Sequence, residues 1–290
     1  MDSTLRSIAD CRCQNAEGPL WHPDEGRLYW TDIPGKRLYR TDTTLEAFEV
    51  VFEGEQIGGY TIQDDGSLLM FGEDCSIRCL KDGVLHTLID FVEEERGTRF
   101  NDVIADPEGR VFCGTMPMPG RAGHLYRLDP DGSMTAVLSG LTVSNGLGFS
   151  PDLAALYHTD SDMRTIMRYP YDRASGALGE GELFAQVNEG AGVPDGMTVD
   201  VEGFVWSGHW NGGVLVRYDP DGREVARIDF PARKVTCPSF GGPDYEDLFV
   251  TTAGGDNREE EGPGAGRVYQ LRPGVRGRPE FRSRIEIPGV

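Results

Sequence analysis

The sequence predicts an all-β chain folded as a six-bladed β-propeller. Composition is the first indication, because 39 glycines and a hydrophobic fraction of 38% in 290 residues suit many short strands joined by tight turns. Helical periodicity is nearly absent, which disfavours solenoids and helical repeats. A turn-plus-strand signature also recurs six times along the chain. We therefore expect residues 1–290 to form a single propeller domain.

The repeated signature is an Asp/Pro/Gly turn followed by a β-rich run, which is the pattern of a hairpin. Its six copies are HPDEGRLYWTD, QDDGSLLMFGE, DPEGRVFCGT, SPDLAALYHTD, DVEGFVWSGH and GPDYEDLFVTT. One landmark residue per copy gives spacings of 40, 43, 45, 49 and 43 residues. The landmarks are Tyr29, Leu69, Phe112, Tyr157, Trp206 and Phe249. Such a period is typical of a four-stranded propeller blade.

Further strands follow the landmarks and end in turns. They are RLYRTDTT, SIRCLKDG, HLYRLDPDG, IMRYPYDRASG, LVRYDPDG and RVYQLRPG. We expect the landmark strands and these strands to be the third and outer strands of each blade. Because a closed ring leaves no free edge, RSIADCR near the start should pair with the last blade. The one candidate helix, TLIDFVEEE, is equally well interpreted as a short strand and an acidic loop.

The charge of the chain limits its partners. The formal net charge is −20, from 48 acidic and 28 basic residues. Such a surface repels nucleic acid and anionic membranes, so neither is an expected partner. Only three basic residues are lysines, Lys36, Lys81 and Lys234. This bias fits either a salt-loving host or a GC-rich genome, and the sequence does not decide between them.

Cysteine usage and the terminus favour a cytoplasmic protein. There is no basic segment followed by an apolar run at the N-terminus and no apolar stretch long enough to span a membrane. We expect the six cysteines to be free thiols, since CRC and CSIRC lack the spacing and the histidines of a zinc site. Cys237 alone is left open. The sequence does not distinguish a monomer from a small homo-oligomer.

Equivalent positions in the six copies carry polar residues. Counting back eleven or twelve residues from the landmarks gives Glu17, Gly58 or Ile57, Asn101, Asn145, Asp195 and Cys237. In a propeller these positions lie on the innermost strands and converge on the axial channel. A single Asp-Gly or Asn-Gly is usually a turn, but Glu17, Asn145 and Asp195 each precede a glycine at the same register. Two carboxylates and an amide oxygen suit Ca²⁺, Mg²⁺ or Mn²⁺.

The chain resembles the SMP-30/gluconolactonase family of regucalcin-like six-bladed propellers. The resemblance extends over nearly the whole length, through NAEGPLWHP, TRFNDVIADPEGRVFCGTM, SNGLGFSPD, PDGMTVDVEGFVW and FGGPDYEDLFVTTA. It implies that Glu17, Asn145 and Asp195 hold one divalent cation, with calcium favoured and Mg, Mn, Zn or Fe as alternatives. It also implies that Arg99 and Asn101, the Arg and Asn of an R-x-N motif, bind substrate oxygens, and Asn145 is predicted to contact substrate too. Residues two apart in an extended segment point to the same side, which supports this pairing.

The resemblance implies a metal-dependent lactonase that hydrolyses a sugar-derived lactone to the aldonic acid. Asp195 is then the general base as well as a ligand, and the cation polarises the lactone carbonyl. No G-x-S-x-G motif supports a serine nucleophile. Two alternatives stay open: a related esterase or phosphotriesterase using the same site, and a non-catalytic metal-binding propeller.

One segment departs from the family pattern. Many relatives carry an acidic segment after the GTM motif, whereas this chain reads GTMPMPGRAGHLY, with no acid between Met116 and His124. A family carboxylate that contacts substrate is therefore missing or replaced, and substrate preference cannot be transferred. Met118 is interpreted either as a residue of the channel mouth or as packing within an exposed loop.

Overall fold

The computed structural model describes residues 4–42 and 44–289. Within these residues the chain consists of short antiparallel strands and one 3₁₀ turn, Glu93–Glu95, and contains no α-helix. In the candidate segment TLIDFVEEE, strand Val84–Ile89 is followed by this acidic turn, so the strand interpretation is confirmed. Across the described ranges, no helix is long and apolar enough to cross a membrane.

The strands are numbered in chain order. The first thirteen are β1 (Arg6–Ala9), β2 (Ala16–His22), β3 (Arg27–Asp32), β4 (Arg37–Thr41), β5 (Phe48–Glu53), β6 (Ile57–Ile62), β7 (Leu68–Gly72), β8 (Ile77–Lys81), β9 (Val84–Ile89), β10 (Phe100–Ala105), β11 (Val111–Thr115), β12 (Gly123–Leu128) and β13 (Met134–Leu141). The remaining twelve are β14 (Ser144–Phe149), β15 (Ala155–Asp160), β16 (Thr165–Asp172), β17 (Ala177–Leu178), β18 (Glu182–Gln186), β19 (Val193–Val199), β20 (Val205–Trp210), β21 (Val214–Tyr218), β22 (Glu224–Asp229), β23 (Lys234–Gly241), β24 (Asp247–Ala253) and β25 (Val268–Leu271).

These strands form six sheets, which are the six predicted blades. Blades 1, 2, 3 and 5 are the meanders β2–β5, β6–β9, β10–β13 and β19–β22. Blade 4 contains β14–β16, and both β17 and β18 pair with β16. The expected strand positions were wrong by one place. The landmark strands are second and the strands ending in turns are third, because one more strand follows outside each of them.

Blade 6 closes the ring with both ends of the chain. It runs β23, β24, β25 and then β1, so the N-terminal strand is its outer edge. Arg6 pairs with Gln270 and Ser7 with Tyr269 in antiparallel register. The prediction that RSIADCR pairs with the last blade is confirmed, and this pairing protects an edge that would otherwise be free.

Asp side chains explain the repeated turn signature. Asp106 Oδ1 accepts hydrogen bonds from the backbone N–H groups of Glu108 at 2.8 Å and Arg110 at 3.0 Å. Gly109 adopts the left-handed conformation, with φ of 85°. Asp200 caps the turn before β20 in the same way. In blades 3 and 5 the D-x-E-G sequence is therefore a side-chain-capped turn that leads directly into the landmark strand.

The hydrophobic core lies between the blades rather than along the axis. Six clusters of buried residues each join two neighbouring blades, and each cluster contains one of the landmark residues. Trp206 of blade 5, for example, packs against Phe240 of blade 6 with ring centroids 6.3 Å apart. The landmarks are thus equivalent in space, as their spacing predicted.

All six innermost strands are irregular at the same place. The pairing register with the second strand shifts between Glu17 and Leu20 in β2. The same shift occurs in β6, β10, β14, β19 and β23. A β-bulge bends a strand and redirects its side chains. Here the six bulges lie around one axis and direct side chains into the channel.

The C-terminal segment crosses the face opposite the candidate site. Backbone hydrogen bonds connect Arg276 O to Val201 N in blade 5 and Ser283 N to Ile62 O in blade 2. Arg284 N donates to Gly109 O in blade 3. Glu280 and Phe281, between these contacts, line a cavity of about 80 Å³ inside the channel. This end of the channel is therefore covered by the chain itself.

Candidate active site

A cavity of about 290 Å³ opens where the innermost strands begin. Its volume is close to the lower end of the range for small-molecule sites. All five predicted site residues line it. The complete lining is Asn15, Glu17, Arg99, Asn101, Met116, Val143, Asn145, Ser161, Asp162, Val193, Asp195 and Trp210. The structure thus gathers predicted site residues that lie as much as 178 positions apart, Glu17 and Asp195, in one small volume.

The bulges bury the polar floor of this cavity. Glu17, Asn101, Asn145 and Asp195 expose only 5%, 7%, 6% and 5% of their surface. Glu17 Oε2 accepts a hydrogen bond from the N–H of Gly18 at 3.2 Å. The Asn145 amide donates to Asp195 Oδ1 and, at 3.1 Å, to Ser161 Oγ. Asn145 and Asp195, from neighbouring blades 4 and 5, are therefore in direct contact.

Arg99 and Asn101 form a second polar pair on the wall. Arg99 Nη1 donates to Asn101 Oδ1 at 2.7 Å and to the Phe100 carbonyl at 2.8 Å. Asn101 Nδ2 donates to the Ser144 carbonyl at 2.9 Å, which fixes the amide against blade 4. The Arg99 side chain lines the cavity. The side chains of residues 99 and 101 lie on the same side and line the same cavity, as their spacing predicted.

Three carboxyl groups share this region with one guanidinium. Burial raises the pKa of Glu17 well above its ordinary range, and the nearby carboxylates of Asp195 and Asp102 raise it further. Burial, and then Asp102, raise the pKa of Asp195 in the same way. Burial lowers the pKa of Arg99, and the carboxylates oppose that shift. The local negative charge is therefore only partly balanced by protein groups.

Asp102 was not among the site residues predicted from the sequence. It is the second residue of the β10 bulge. It lines the cavity of about 80 Å³ beside Glu280 and Phe281, which we call the inner cavity, on the far side of the bulges. Burial raises its pKa to about 7, although the charge of Arg99 acts in the opposite direction. Counting by repeat selected only one residue per blade and stopped at Asn101. A bulge places two adjacent side chains in the channel, so the pair Asn-Asp was the available signal.

Comparison with known proteins identifies the family. The family model described as SMP-30/gluconolactonase/LRE-like region matches residues 15–254. The chain belongs to this family. All five site residues and Asp102 lie within the matched region, which also includes the bulge of each innermost strand. The resemblance inferred from the motifs is confirmed.

Members of the family match nearly the whole chain. Pentonolactonase XacC of Haloferax volcanii is 46% identical over 291 residues, covering 98% of this chain and 99% of that protein. Regucalcin of Xenopus laevis is 33% identical over 268 residues, covering 88% and 89%. A crystal structure described as a calcium-binding protein, regucalcin, from Agrobacterium tumefaciens superposes with a TM-score of 0.90 at 28% identity and covers 98% of both chains. The six-bladed propeller fold is therefore shared along the full length.

The donor set of the cavity fits a hard divalent cation. Among the described residues, no three His, Cys, Asp or Glu side chains are grouped so that they could hold a metal by themselves. The candidate set is instead two carboxylates and one amide, Glu17, Asp195 and Asn145. Their oxygens are the ligands that such ions prefer. The Asn145 amide faces Asp195 through its nitrogen, so a flip of this amide would bring its oxygen beside the Asp195 carboxylate.

The segment after the GTM motif is held by a carboxylate from another part of the chain. Glu95 is fully buried and accepts from His124 Nδ1 at 2.8 Å and Tyr126 OH at 2.9 Å. Met116 lines the cavity, whereas Met118 lies against Gly97. Of the two interpretations of Met118, packing within the loop is correct. Met116 presents an apolar surface to the cavity, and an acid from another segment, Asp162 of blade 4, is also part of the lining.

Proposed function

We propose that the protein hydrolyses a sugar-derived lactone to the corresponding aldonic acid. Its family membership and its 46% identity to a pentonolactonase support this reaction. A relative described as 6-deoxy-6-sulfogluconolactonase, from Pseudomonas putida, is 32% identical over 294 residues. The observation that carries the proposal is the cavity itself, with Glu17, Asn145 and Asp195 on its floor and the Arg99–Asn101 pair on its wall.

Glu17, Asn145 and Asp195 would hold the divalent cation. Calcium is the proposed ion, because the donors are all oxygen atoms and a regucalcin of the same fold is described as calcium-binding. Mg, Mn, Zn and Fe are the alternatives. A bound cation would supply Lewis-acid polarisation of the lactone carbonyl and would stabilise the negative charge that develops on the carbonyl oxygen. A bound cation would favour the ionised forms of Glu17 and Asp195, whose pKa values burial and the neighbouring carboxylates otherwise raise.

Asp195 is the proposed general base. It lies at the cavity floor, and the Asn145 amide contacts its Oδ1 and fixes the side chain. Its carboxylate accepts a proton from the water whose oxygen bonds to the lactone carbonyl carbon, and Asp195 then returns that proton to the ring oxygen as the ring C–O bond breaks. Burial removes competing solvent from Asp195, which strengthens its interactions in the site.

Arg99 and Asn101 are proposed to orient the lactone. The guanidinium offers several N–H donors in a fixed plane, and the amide offers both a donor and an acceptor. These groups match the ring and hydroxyl oxygens of a sugar lactone. Because they are fixed to each other and to blade 4, they hold the substrate with little loss of side-chain freedom on binding.

A pH-stat assay tests the proposal. Purified protein is treated with chelator, dialysed, and assayed with five-carbon and six-carbon aldonolactones before and after addition of Ca²⁺, Mg²⁺, Mn²⁺ or Zn²⁺. We expect acid release only after cation is restored. Acyclic esters and a phosphotriester are assayed in parallel. Hydrolysis of these alone would identify the related esterase, and cation binding without any hydrolysis would identify a non-catalytic binding protein.

A further inference from the structure

One aromatic wall of the cavity has no part in the mechanism above. Trp210 ends strand β20, pairs with Val193 in the sheet, and lines the cavity beside it. The chain has four tryptophans, and the other three, Trp21, Trp30 and Trp206, are buried. Trp210 retains part of its surface. It is therefore the tryptophan that a molecule in the cavity can reach.

The register of β20 explains why the indole lies at this place. Trp206, Gly208 and Trp210 share one face of the strand, the face towards blade 6. Trp206 is packed against Phe240 in that interface. A Cβ atom at Gly208 would lie 2.1 Å from the carbonyl oxygen of Thr236, so the two blades touch there. Trp210 is one step closer to the channel mouth, where the blades separate and the cavity begins.

The ammonium group of Lys234 contacts one face of the Trp210 indole. Lys234 Nζ lies 4.9 Å from the ring centroid of Trp210. The same ammonium pairs with Glu261 Oε1 at 2.7 Å, and both charged side chains are largely shielded from solvent. The backbone N–H of Arg233 donates to Glu261 O at 2.8 Å, which fixes the loop that carries Glu261. Lys234 and Glu261 are thus positioning residues that keep the ring in one orientation beside the cavity.

We propose that Trp210 is a substrate-binding residue on which the ring of the sugar lactone stacks through its C–H face. This inference rests on the proposed function and adds to it the residue that recognises the carbohydrate ring. A sugar lactone carries hydroxyl groups around its rim and C–H groups on its faces. Arg99 and Asn101 take the oxygens of the rim, whereas Trp210 offers an electron-rich aromatic surface to the polarised C–H groups. Val193, which pairs with Trp210 in the sheet, adds to this apolar side of the cavity.

The same blade contains a matched control. Phe204 is also half-buried and carries a guanidinium over its ring, with Arg217 Cζ 3.8 Å from the centroid. Phe204 lines neither the site cavity nor the inner cavity. Substitution of Phe204 therefore removes an aromatic ring and a cation–π contact from blade 5 without changing the site.

The experiment compares Trp210→Ala, Trp210→Phe and Phe204→Ala. Steady-state kinetics with five-carbon and six-carbon aldonolactones give KM and kcat. We expect Trp210→Ala to raise KM about tenfold with kcat within about threefold of wild type, because stacking stabilises the bound ground state and the transition state alike. Trp210→Phe should lie between, and Phe204→Ala should keep the wild-type KM. Lys234→Met should raise KM by about threefold, since it frees the ring without removing it.

A binding measurement keeps the inference separate from the proposed reaction. The aldonates D-xylonate and D-gluconate are titrated into cation-loaded protein while tryptophan emission is recorded. We expect a saturable change in the wild type and in Phe204→Ala, and none in Trp210→Phe. An unchanged KM in Trp210→Ala, or an emission change that persists in Trp210→Phe, overturns the stacking role. Failure of the wild type to hydrolyse lactones while Trp210 still reports aldonate binding rejects the proposed reaction alone.

Discussion

Blades 1, 3, 4 and 5 differ from blades 2 and 6 at one equivalent position. Every innermost strand has the same bulge, yet four blades place Glu17, Asn101, Asn145 or Asp195 there. Blade 2 places Gly58 in its bulge and blade 6 places Cys237. The backbone therefore offers the channel six similar positions, and the side chain at each one decides whether it contributes to the site.

The two exceptions have different physical reasons. A Cβ atom at Gly58 would lie 2.0 Å from the carbonyl oxygen of Phe100, so blade 3 approaches too closely for any side chain. Cys237 has room for its thiol but turns it towards the Pro238 carbonyl and the inner cavity. Packing thus prevents blade 2 from contributing a side chain to the site, whereas in blade 6 the residue type does so. Substitutions on the two kinds of blade test this difference.

The largest effect is expected for Asp195→Asn. The amide keeps the shape and one oxygen ligand but cannot accept the proton, so kcat should fall by ~10²–10⁴. Cation content, measured by atomic emission after dialysis, should fall much less than kcat. Wild-type kcat in a cation-loaded Asp195→Asn protein would show that another group removes the proton.

The repeat explains why so much of this site could be predicted from the sequence. The spacing of Tyr29, Trp206 and the other landmarks, 40 to 49 residues, identified equivalent positions in the ring, so the polar residues of the cavity floor could be found by counting. Asp102 could not be found in that way, because a bulge places two adjacent residues in the channel and the spacing does not reveal a bulge. Glu95 was missed for a different reason: its partners His124 and Tyr126 are joined to it only by tertiary packing.

Glu17→Gln is expected to weaken cation affinity first. Glu17 is assigned only the role of a metal ligand. Loss of its charge should therefore raise the dissociation constant of the cation by about 10–100-fold, as other substitutions at metal sites do. Excess cation should restore most of the activity. Calcium titrations of activity for this variant and for Asp195→Asn make the contrast direct, since only the former should recover. Equal behaviour of the two variants would remove the division between ligand and base.

Gly58→Ala should destabilise the fold, because the added methyl meets the backbone of Phe100 and Asn101 in blade 3. The added methyl meets a backbone oxygen that cannot move independently, so we expect a loss in the upper part of the ~1–3 kcal/mol range for overpacking. Gly120→Ala is the matched control, because it has open space and only a positive φ of 81°. It should cost about 1 kcal/mol. Urea unfolding midpoints of the two variants separate packing from backbone conformation, and equal losses would contradict the account of blade 2.

The crowded carboxyl groups predict an unusual pH dependence for the cation-free protein. The pKa of Asp102 is about 7 in the folded chain, whereas an unperturbed Asp has a pKa of about 3.9. The folded state therefore binds more protons than the unfolded state, and stability should decrease as the pH rises through the folded pKa. The raised pKa values of Glu17 and Asp195 act in the same direction.

The measurement is the melting temperature in chelator between about pH 6.5 and 8, a window above the unperturbed histidine pKa. This window excludes the effect of His158 on stability. Burial lowers the pKa of His158 to about 4, so its contribution to the free energy of unfolding is lost only as the pH falls below the window. We expect a decrease of at least about 2 °C in the wild type, a smaller one in Asp102→Asn, and an increase with pH once calcium is added. A rising melting temperature in chelator would contradict the raised pKa values.

Cys237→Ser is expected to have the smallest effect. Burial raises the pKa of the Cys237 thiol well above its usual range, so the group is a neutral thiol rather than the thiolate that binds Zn or Fe. Serine keeps the size and a donor for the Pro238 carbonyl, and kcat and KM should stay within about twofold of wild type for every activating cation. The comparison is sharpest with two ions, because a thiolate ligand would favour zinc over calcium. If Cys237→Ser lost zinc-supported activity but kept calcium-supported activity, blade 6 would contribute to the site after all, and the oxygen-only donor set would be wrong for zinc.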